Sequence, residues 1–205
     1  AVGNILAINQ TNLKRLLAYS SIAHAGYLMM AFVAASNPEQ TGTAVASMMY
    51  YLVAYGLTTF GAWAVVISLE QAEGKGLDLA DYAGAGQKYP WLGAAMLVFM
   101  LSLAGIPATA GFIGKYYLFS AAMKAHFGWL AVVMVLNSVV SAFYYLRVVV
   151  MMYLKAPVDS VPYATSPGLV TATGLCLAFN LVVGLYPQPL LEFTRQSLMV
   201  LSLPG

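Results

Sequence analysis

Long apolar runs without charged residues alternate with short polar segments along the whole chain. The charge-free runs are 16–38, 40–69, 89–114, 125–146 and 160–191. Each run is long enough to supply the roughly 17–25 apolar residues that a helix needs to cross a bilayer. Runs such as 96–105 and 130–140 lack the strict alternation of a transmembrane strand. The pattern therefore predicts an all-α fold, a polytopic bundle of transmembrane helices.

The same pattern, with the turn residues between the runs, predicts the helix boundaries. A partial helix is expected at 1–9, followed by five spans and a short amphipathic end. The spans are predicted at 12–36, 41–69, 91–123, 127–154 and 165–186, and the amphipathic end at 189–203. The polar stretch 70–90 is expected to be an aqueous connector with a surface helix around 77–83.

Composition excludes a soluble domain. Charged residues make up 8% of the 205 residues and hydrophobic residues 61%, whereas soluble domains have roughly a quarter of their residues charged. The formal net charge of +2 comes from scattered basic residues, so we expect no nucleic-acid partner. Cys176 is the sole cysteine, which excludes a disulfide or a CxxC metal site within the chain. We expect it to be a packing residue.

The basic residues predict the orientation in the membrane. When the spans are threaded alternately, one side receives Lys14, Arg15, Lys75, Lys88 and Lys155, with Arg147 close to it. The other side receives Lys124 and Arg195. The positive-inside rule makes the Lys14/Arg15 side cytoplasmic, so the C-terminus is expected in the periplasm of a bacterium. Aromatic residues near predicted helix ends suit interfacial belts: Tyr50, Tyr51, Tyr89, Trp91, Trp129 and Tyr153.

The segment LAGIPATAGFIGKYYLF (103–119) interrupts an apolar span with helix-breaking residues. As one straight helix, the 33 residues of 91–123 would extend about 50 Å, whereas a hydrocarbon core is about 30 Å thick. Pro107 lacks a backbone N–H, and Gly105 and Gly111 tolerate non-helical backbone angles. Freed backbone groups are costly in lipid. The break is therefore expected to face protein or a water-filled cavity, as in the discontinuous helices of transporters.

Lys115 lies about two turns after Pro107 in the same span. An ionisable group there costs several kcal/mol, and burial favours the neutral form of a lysine, so Lys115 is suited to exchange a proton near neutral pH. The alternative is a lysine that snorkels along its stem towards the interface near Lys124. Since no aspartate or glutamate lies in any predicted span, a counter-charge is expected from sequence outside this chain.

A second candidate region is NLKRLLAYSSIAHAGY (12–27). His24 lies within this span, and an unperturbed imidazole pKa of about 6.5 suits a proton relay. The alternative is a histidine that is hydrogen-bonded between helices. Lys14 and Arg15 at the start of the span are explained by topological anchoring alone. Arg147 either pairs with a neighbouring group or marks a helix end.

The two motifs, together with FYYLRVVVMMYL (143–154), resemble the antiporter-like membrane subunits of the proton-pumping NADH:quinone oxidoreductase, respiratory complex I, and most closely subunit N of that family. Multisubunit cation/proton antiporters are similar more distantly. The family has fourteen helices with two inverted five-helix repeats. The resemblance implies that this chain holds the C-terminal part only. Residues 1–154 would form the second repeat, with its first helix truncated, and 155–205 the last transmembrane helix and an amphipathic end.

The resemblance also implies roles for three residues. Lys115 corresponds to the family's lysine on the discontinuous helix, the exit-side member of a chain of protonatable groups. His24 corresponds to a relay histidine, and Lys14 to a basic residue at the start of its helix. Where the family often has Pro-Pro, this chain has Pro107-Ala108, which implies a less rigid break. The glutamate and two lysines of the first repeat are not in this chain.

The implied function is that of a translocase subunit, which couples redox energy to proton transport without redox chemistry of its own. We expect no cofactor or metal in this chain, and expect NADH, FMN, iron–sulfur clusters and quinone in partner subunits. The expected partners are other membrane subunits of complex I, in a bacterial inner (plasma) membrane. Two alternatives remain: a non-pumping structural membrane subunit, and a component of a cation/proton antiporter.

Overall fold

The computed structural model describes residues 1–70, 76–157 and 166–201, with the side chains of 198–201 left aside. These ranges are helical apart from turns and an isolated bridge between Asn12 and Asp78. The helices are α1 (Val2–Ile8), α2 (Leu13–Ala34), α3 (Thr41–Leu69), α4 (Ala85–Lys88), α5 (Pro90–Ala104), α6 (Ala110–Lys124), α7 (Gly128–Leu154), α8 (Pro167–Leu185) and α9 (Gln188–Leu201), with a 3-10 turn at Leu79–Tyr82. The predicted all-α fold is confirmed.

Helix starts follow from local sequence. Asn12, Thr109 and Ser166 each accept a hydrogen bond from the backbone N–H three residues later, which satisfies one of the free N–H groups at the first turn. Pro90 and Pro167 stand at the first positions of α5 and α8, where the missing N–H costs nothing. The caps therefore fix where three of the helices begin.

Four helices in the described ranges are long and apolar enough to cross a membrane, namely α2, α3, α7 and α8. The remaining predicted span, 91–123, is divided into two helices. Helices α5 and α6 have 15 residues each and are separated by a break at 105–109. The predicted discontinuous helix is confirmed, and the two halves together supply the length of one span.

Helix α3 lies at the centre of the bundle, in contact with α2, α5, α6, α8 and α9. Its small residues allow close approach, and the ring of Phe99 on α5 packs directly over Gly61. Large apolar side chains such as Ile22, Phe60, Val139 and Leu175 are exposed on the outer surface. An outward-facing apolar surface of this kind suits lipid rather than water.

The central position of α3 corrects the prediction of interfacial aromatic belts. Trp91 and Trp129 are exposed, as a belt requires, but Tyr50 and Tyr51 are fully buried. Because helices pack against α3 on several sides, its tyrosines point into the protein and not towards a membrane interface. The belt interpretation is wrong for these two residues.

The connector between α3 and α5 is also less exposed than expected. Instead of a surface helix around 77–83 the chain forms a 3-10 turn, in which Leu79 and Tyr82 are buried. Backbone hydrogen bonds join it to the start of α2: Leu13 N–H donates to the Leu77 carbonyl, and Leu79 N–H to the Thr11 carbonyl. Burial, with lesser contributions from nearby carboxylates, raises the pKa of the Tyr82 hydroxyl. The segment therefore seals the core at this end.

The C-terminal helix α9 lies against the bundle with one apolar face. Leu190 and Leu191 pack against a cluster that includes Tyr50, while Glu192 and Arg195 are exposed. The helix agrees with the predicted amphipathic end, and its described side chains, up to position 197, show the two faces. Lys75 and the residues 158–165 and 202–205 lie outside the described residues. The division of the chain at 154/155 stays a prediction.

The close contact between α3 and α5 generates a stability prediction. A Cβ at position 61 would lie 2.2 Å from the Phe99 ring, so Gly61→Ala should destabilise the bundle by about 1–3 kcal/mol through overpacking. Gly56 on the same helix has open space around it, so Gly56→Ala should be neutral or gain up to about 1 kcal/mol. Equilibrium unfolding in lipid–detergent micelles measures both, and equal effects would contradict the packing described.

Candidate functional site

The site is built around the break between α5 and α6. Helix α5 ends at Ala104, and Gly105 follows with a left-handed φ of 88° that favours glycine. Pro107 has no N–H, so the Leu103 carbonyl, four residues earlier, has no intrahelical partner. Ala108 also has a positive φ, of 68°. The local sequence thus frees backbone carbonyls in the middle of the protein.

Lys115 binds those carbonyls. Its Nζ donates to the Leu103 oxygen at 2.9 Å and to the Ala104 oxygen at 3.0 Å. The side chain is 6% exposed and its Nζ lies 5.2 Å from the ring centre of Tyr27. The lysine points back to the break, so the snorkelling alternative towards Lys124 is not what the structure shows.

The C-terminal end of α5 supplies the negative potential that Lys115 needs. Carbonyl dipoles at a helix C-terminus carry about half a negative charge together and stabilise a nearby cation. Within the described ranges, no carboxylate forms an ion pair with Lys115. The expected need for an acidic partner is thus met at least in part by the backbone of this chain.

The opposite side of the break, at the start of α6, is held by polar side chains. Ser102 Oγ accepts from the Gly111 N–H at 3.0 Å, and Asn180 Oδ1 accepts from the Ala110 N–H at 3.5 Å. The Asn180 amide donates to Thr58 Oγ1 at 2.7 Å and to Ser102 Oγ at 2.9 Å. These groups connect α3, α5, α6 and α8 at the break.

His24 lies between two tyrosine hydroxyls. Its Nδ1 is 2.5 Å from the Tyr51 hydroxyl and its Nε2 is 2.9 Å from the Tyr145 hydroxyl. Tyr145 in turn bonds the Ser20 hydroxyl, and the ring of Tyr55 stacks on the imidazole at 4.4 Å between centres. The histidine on α2 is therefore hydrogen-bonded to residues of α3 and α7, which agrees with the second of the two interpretations drawn from the sequence. The same contacts make it part of a chain of hydrogen-bonded groups with exchangeable protons.

A small interior cavity joins His24 to Lys115. Its lining includes both residues and polar groups from two further helices, α3 and α5: Tyr51, Tyr55, Thr58 and Ser102. It offers about 10 Å³ to the centre of a water molecule, about the least that one water requires. The two protonatable residues predicted from separate motifs thus face one space.

Lys115 also borders a second, larger cavity of about 390 Å³ between the broken helix and α7. Its lining is mostly apolar, with Ser138 as a polar member, and it includes the exposed side chains of Val135 and Val139. Lys115 therefore separates an interior polar space from a cavity at the surface of the described chain.

Lys14, the third predicted site residue, lies elsewhere. It forms an ion pair with Glu70, the residue after α3, with 2.5 Å between Nζ and Oε1. It is ten residues before His24 on α2, which corresponds to about 15 Å. The structure thus brings Lys115 and His24 together but not Lys14, whose part in proton transfer stays a prediction.

Arg147 is a structural link. Its guanidinium donates to the Ile8 carbonyl at 2.9 Å and to the Gln10 carbonyl, which places a cation at the C-terminal end of α1. The sequence alone did not decide whether Arg147 pairs with a neighbouring group or marks a helix end. It fastens α1 to α7 and lies outside the His24–Lys115 cluster.

Sequence reasoning missed Tyr51, Tyr145 and Asn180. Each is a polar residue in a long apolar run. This pattern identifies candidate residues, but it does not show which neighbouring helix each of them contacts. In the described ranges no group of three His, Cys, Asp or Glu side chains comes together to hold a metal ion. The expectation about cofactors stays a prediction.

Comparison with known proteins shows a matching family and several similar proteins. The family model described as "NADH:quinone oxidoreductase/Mrp antiporter, TM" matches residues 1–141. The NADH-quinone oxidoreductase subunit N of Trichlorobacter lovleyi is 43% identical over 202 residues, which are 98% of this chain and 40% of that relative. The chain thus spans less than half the length of the curated relatives it matches.

Solved structures agree on the fold. A chain in respiratory complex I from Thermus thermophilus with bound aureothin is similar with a TM-score of 0.80 and 36% identity, over 93% of this chain and 42% of that chain. A chain of the Mrp complex from Dietzia sp. DQ12-45-1b is similar with a TM-score of 0.82 over 96% of this chain and 44% of that chain. At 18% identity the second likeness concerns the fold alone.

The hydrogen bonds of His24 generate a second stability prediction. Tyr145→Phe leaves Nε2 of His24 and the Ser20 hydroxyl without their buried partner, so it should cost about 1–3 kcal/mol. Tyr186→Phe, at the exposed end of α8, is the control and should change little. Unfolding of both variants in lipid–detergent micelles measures the difference, and a Tyr145→Phe variant as stable as the control would contradict the buried network.

Proposed function

Because the chain belongs to the NADH:quinone oxidoreductase/Mrp antiporter membrane family, we propose that it transports protons as part of an antiporter-like subunit of an NADH:quinone oxidoreductase. The observation that carries the proposal is Lys115, a buried amine held by the carbonyls of a broken helix between two cavities. Ionisable residues inside a membrane span are costly, and they mark ion pathways and proton relays.

Lys115 alternates between two states in this proposal. The ammonium is bound by the Leu103 and Ala104 carbonyls, and the neutral amine is favoured by burial. Small changes in hydration or neighbouring charge shift the balance between them. A proton reaches or leaves the amine on the His24 side through the small polar cavity.

His24 acts as the relay member on the interior side. An imidazole accepts a proton on one nitrogen and releases one from the other, and both nitrogens already contact tyrosine hydroxyls. Lys14, at the basic end of α2, is proposed as a charged residue near the entry of the path, where Glu70 balances it.

The proposed setting is a bacterial inner membrane with the Lys14/Arg15 end cytoplasmic and the C-terminus periplasmic. In support, backbone bonds hold the start of α2 beside 77–79 and the end of α7 beside Gly84, so the basic residues there share one end of the bundle. Lys124 lies at the opposite end, at the C-terminus of α6. Partners are proposed to be other membrane subunits, with NADH, FMN, iron–sulfur clusters and quinone held elsewhere in the complex.

Lys115→Arg tests the proposal in the assembled complex. Arginine keeps the positive charge but does not deprotonate, so the number of protons translocated per NADH oxidised should fall by this subunit's share. Lys124→Arg is the matched control, because Lys124 is an exposed lysine nine residues later on the same helix. Both variants are measured in closed membrane vesicles with a pH-sensitive dye and NADH absorbance.

Other outcomes would favour the alternatives. A normal proton-to-electron ratio in Lys115→Arg would refute the proposed role of this residue. If Lys115→Met also leaves turnover and pumping intact, the chain is a structural subunit. Co-purification with membrane subunits but without redox subunits would indicate a cation/proton antiporter.

A further inference from the structure

The polar groups at the helix break restrict the hydrogen bonds that the Ser102 hydroxyl can make. Ser102 Oγ accepts two hydrogen bonds, from the Gly111 N–H and from the Asn180 amide. A hydroxyl oxygen has two acceptor sites, so both are filled. The Ser102 hydroxyl can therefore act only as a donor.

Thr58 limits where that donor can point. The Thr58 hydroxyl donates to the Ala54 carbonyl at 2.6 Å and accepts from the Asn180 amide at 2.7 Å. It lies 3.4 Å from Ser102 Oγ, near the limit of a hydrogen bond. The other direction open to the Ser102 hydrogen is the small cavity, which Ser102 and Thr58 both line together with Lys115 and His24.

Asn180 controls this arrangement from a fourth helix. Its side chain is fully buried, and its two amide hydrogens go to Thr58 and Ser102 while its oxygen accepts from the Ala110 N–H. Holding the start of α6 needs the amide oxygen alone. The two donated bonds serve to fix the orientation of the two hydroxyls.

We infer that Asn180 is a positioning residue, which fixes the Ser102 hydroxyl as the donor that binds a relay water between Lys115 and His24. This inference rests on the proposed function and adds a group outside the protonatable residues. The ligand of the site is one water molecule, for which the cavity has room.

The transfer is balanced at every atom. The Lys115 ammonium gives one proton to the water, the water gives one of its own protons to the Tyr51 hydroxyl oxygen, and Tyr51 gives its hydroxyl proton to Nδ1 of His24. The Nε2–H of His24 is then held by the Tyr145 oxygen, at 2.9 Å. One positive charge moves from Lys115 to His24, and water and tyrosine end with the hydrogens they began with.

A purely structural role for Asn180 predicts a different result. If the amide merely satisfies the helix break, its loss reduces the amount of assembled complex but leaves the protons translocated per NADH unchanged in each complex that assembles. The proton-to-electron ratio of the assembled complex therefore separates a positioning role from a packing role.

The experiment uses the complete complex and a neighbouring pair of threonines. Asn180→Leu removes the amide at similar volume and should lower the ratio as far as Lys115→Arg does. Thr58→Val keeps the shape of Thr58 but loses the acceptor for Asn180, so it should lower the ratio. Thr58→Ser keeps the hydroxyl, so its ratio should be normal. Thr59→Val is the control, because the buried Thr59 hydroxyl has no hydrogen-bond partner within the described ranges.

The results decide between the two proposals. If Lys115→Arg lowers the ratio while Asn180→Leu and Thr58→Val leave it normal, the inference is overturned and the proposed function stands. A normal ratio in Lys115→Arg overturns both. Where Asn180→Leu does not assemble, the Thr58 series decides alone, and equal ratios in Thr58→Val and Thr58→Ser overturn the inference.

Discussion

The contact on which the rest of the site depends is that of the Lys115 ammonium with the Leu103 and Ala104 carbonyls. A broken helix leaves carbonyls without partners, and a buried lysine requires acceptors; either alone would be costly inside a membrane. Together they satisfy each other. Pro107 frees the Leu103 carbonyl and Lys115 binds it, so the two residues act together.

The contact between Lys115 and the freed carbonyls constrains the helices around it. Gly105 must adopt a positive φ, and a Cβ there would lie 3.0 Å from the Lys115 side chain. Asn180 on α8 binds both sides of the break, at Ser102 and at the Ala110 N–H, and α2 and α3 line the inner cavity. The similar chain in respiratory complex I from Thermus thermophilus shares the fold over 93% of this chain.

Much of this could be predicted from sequence, for identifiable reasons. Charge-free runs and proline positions predicted the spans and the break at Pro107, because length and backbone chemistry act locally. The partners of His24 and Lys115 could not be predicted, since they lie on other helices and an apolar run does not say which face meets which neighbour. Tyr51 was assigned to a membrane interface for the same reason, whereas it bonds His24.

In the proposed function an amine at position 115, and not merely a side chain of suitable size, moves protons. Lys115→Cys, followed by aminoethylation of the thiol, tests it directly, because the modified residue again ends in an amine of nearly the same length. The measurement is the proton-to-electron ratio of the complex before and after modification at position 115, confirmed by mass spectrometry. We expect a lowered ratio that modification restores; a ratio that is normal before modification, or still lowered after it, would contradict the proposed role of the amine.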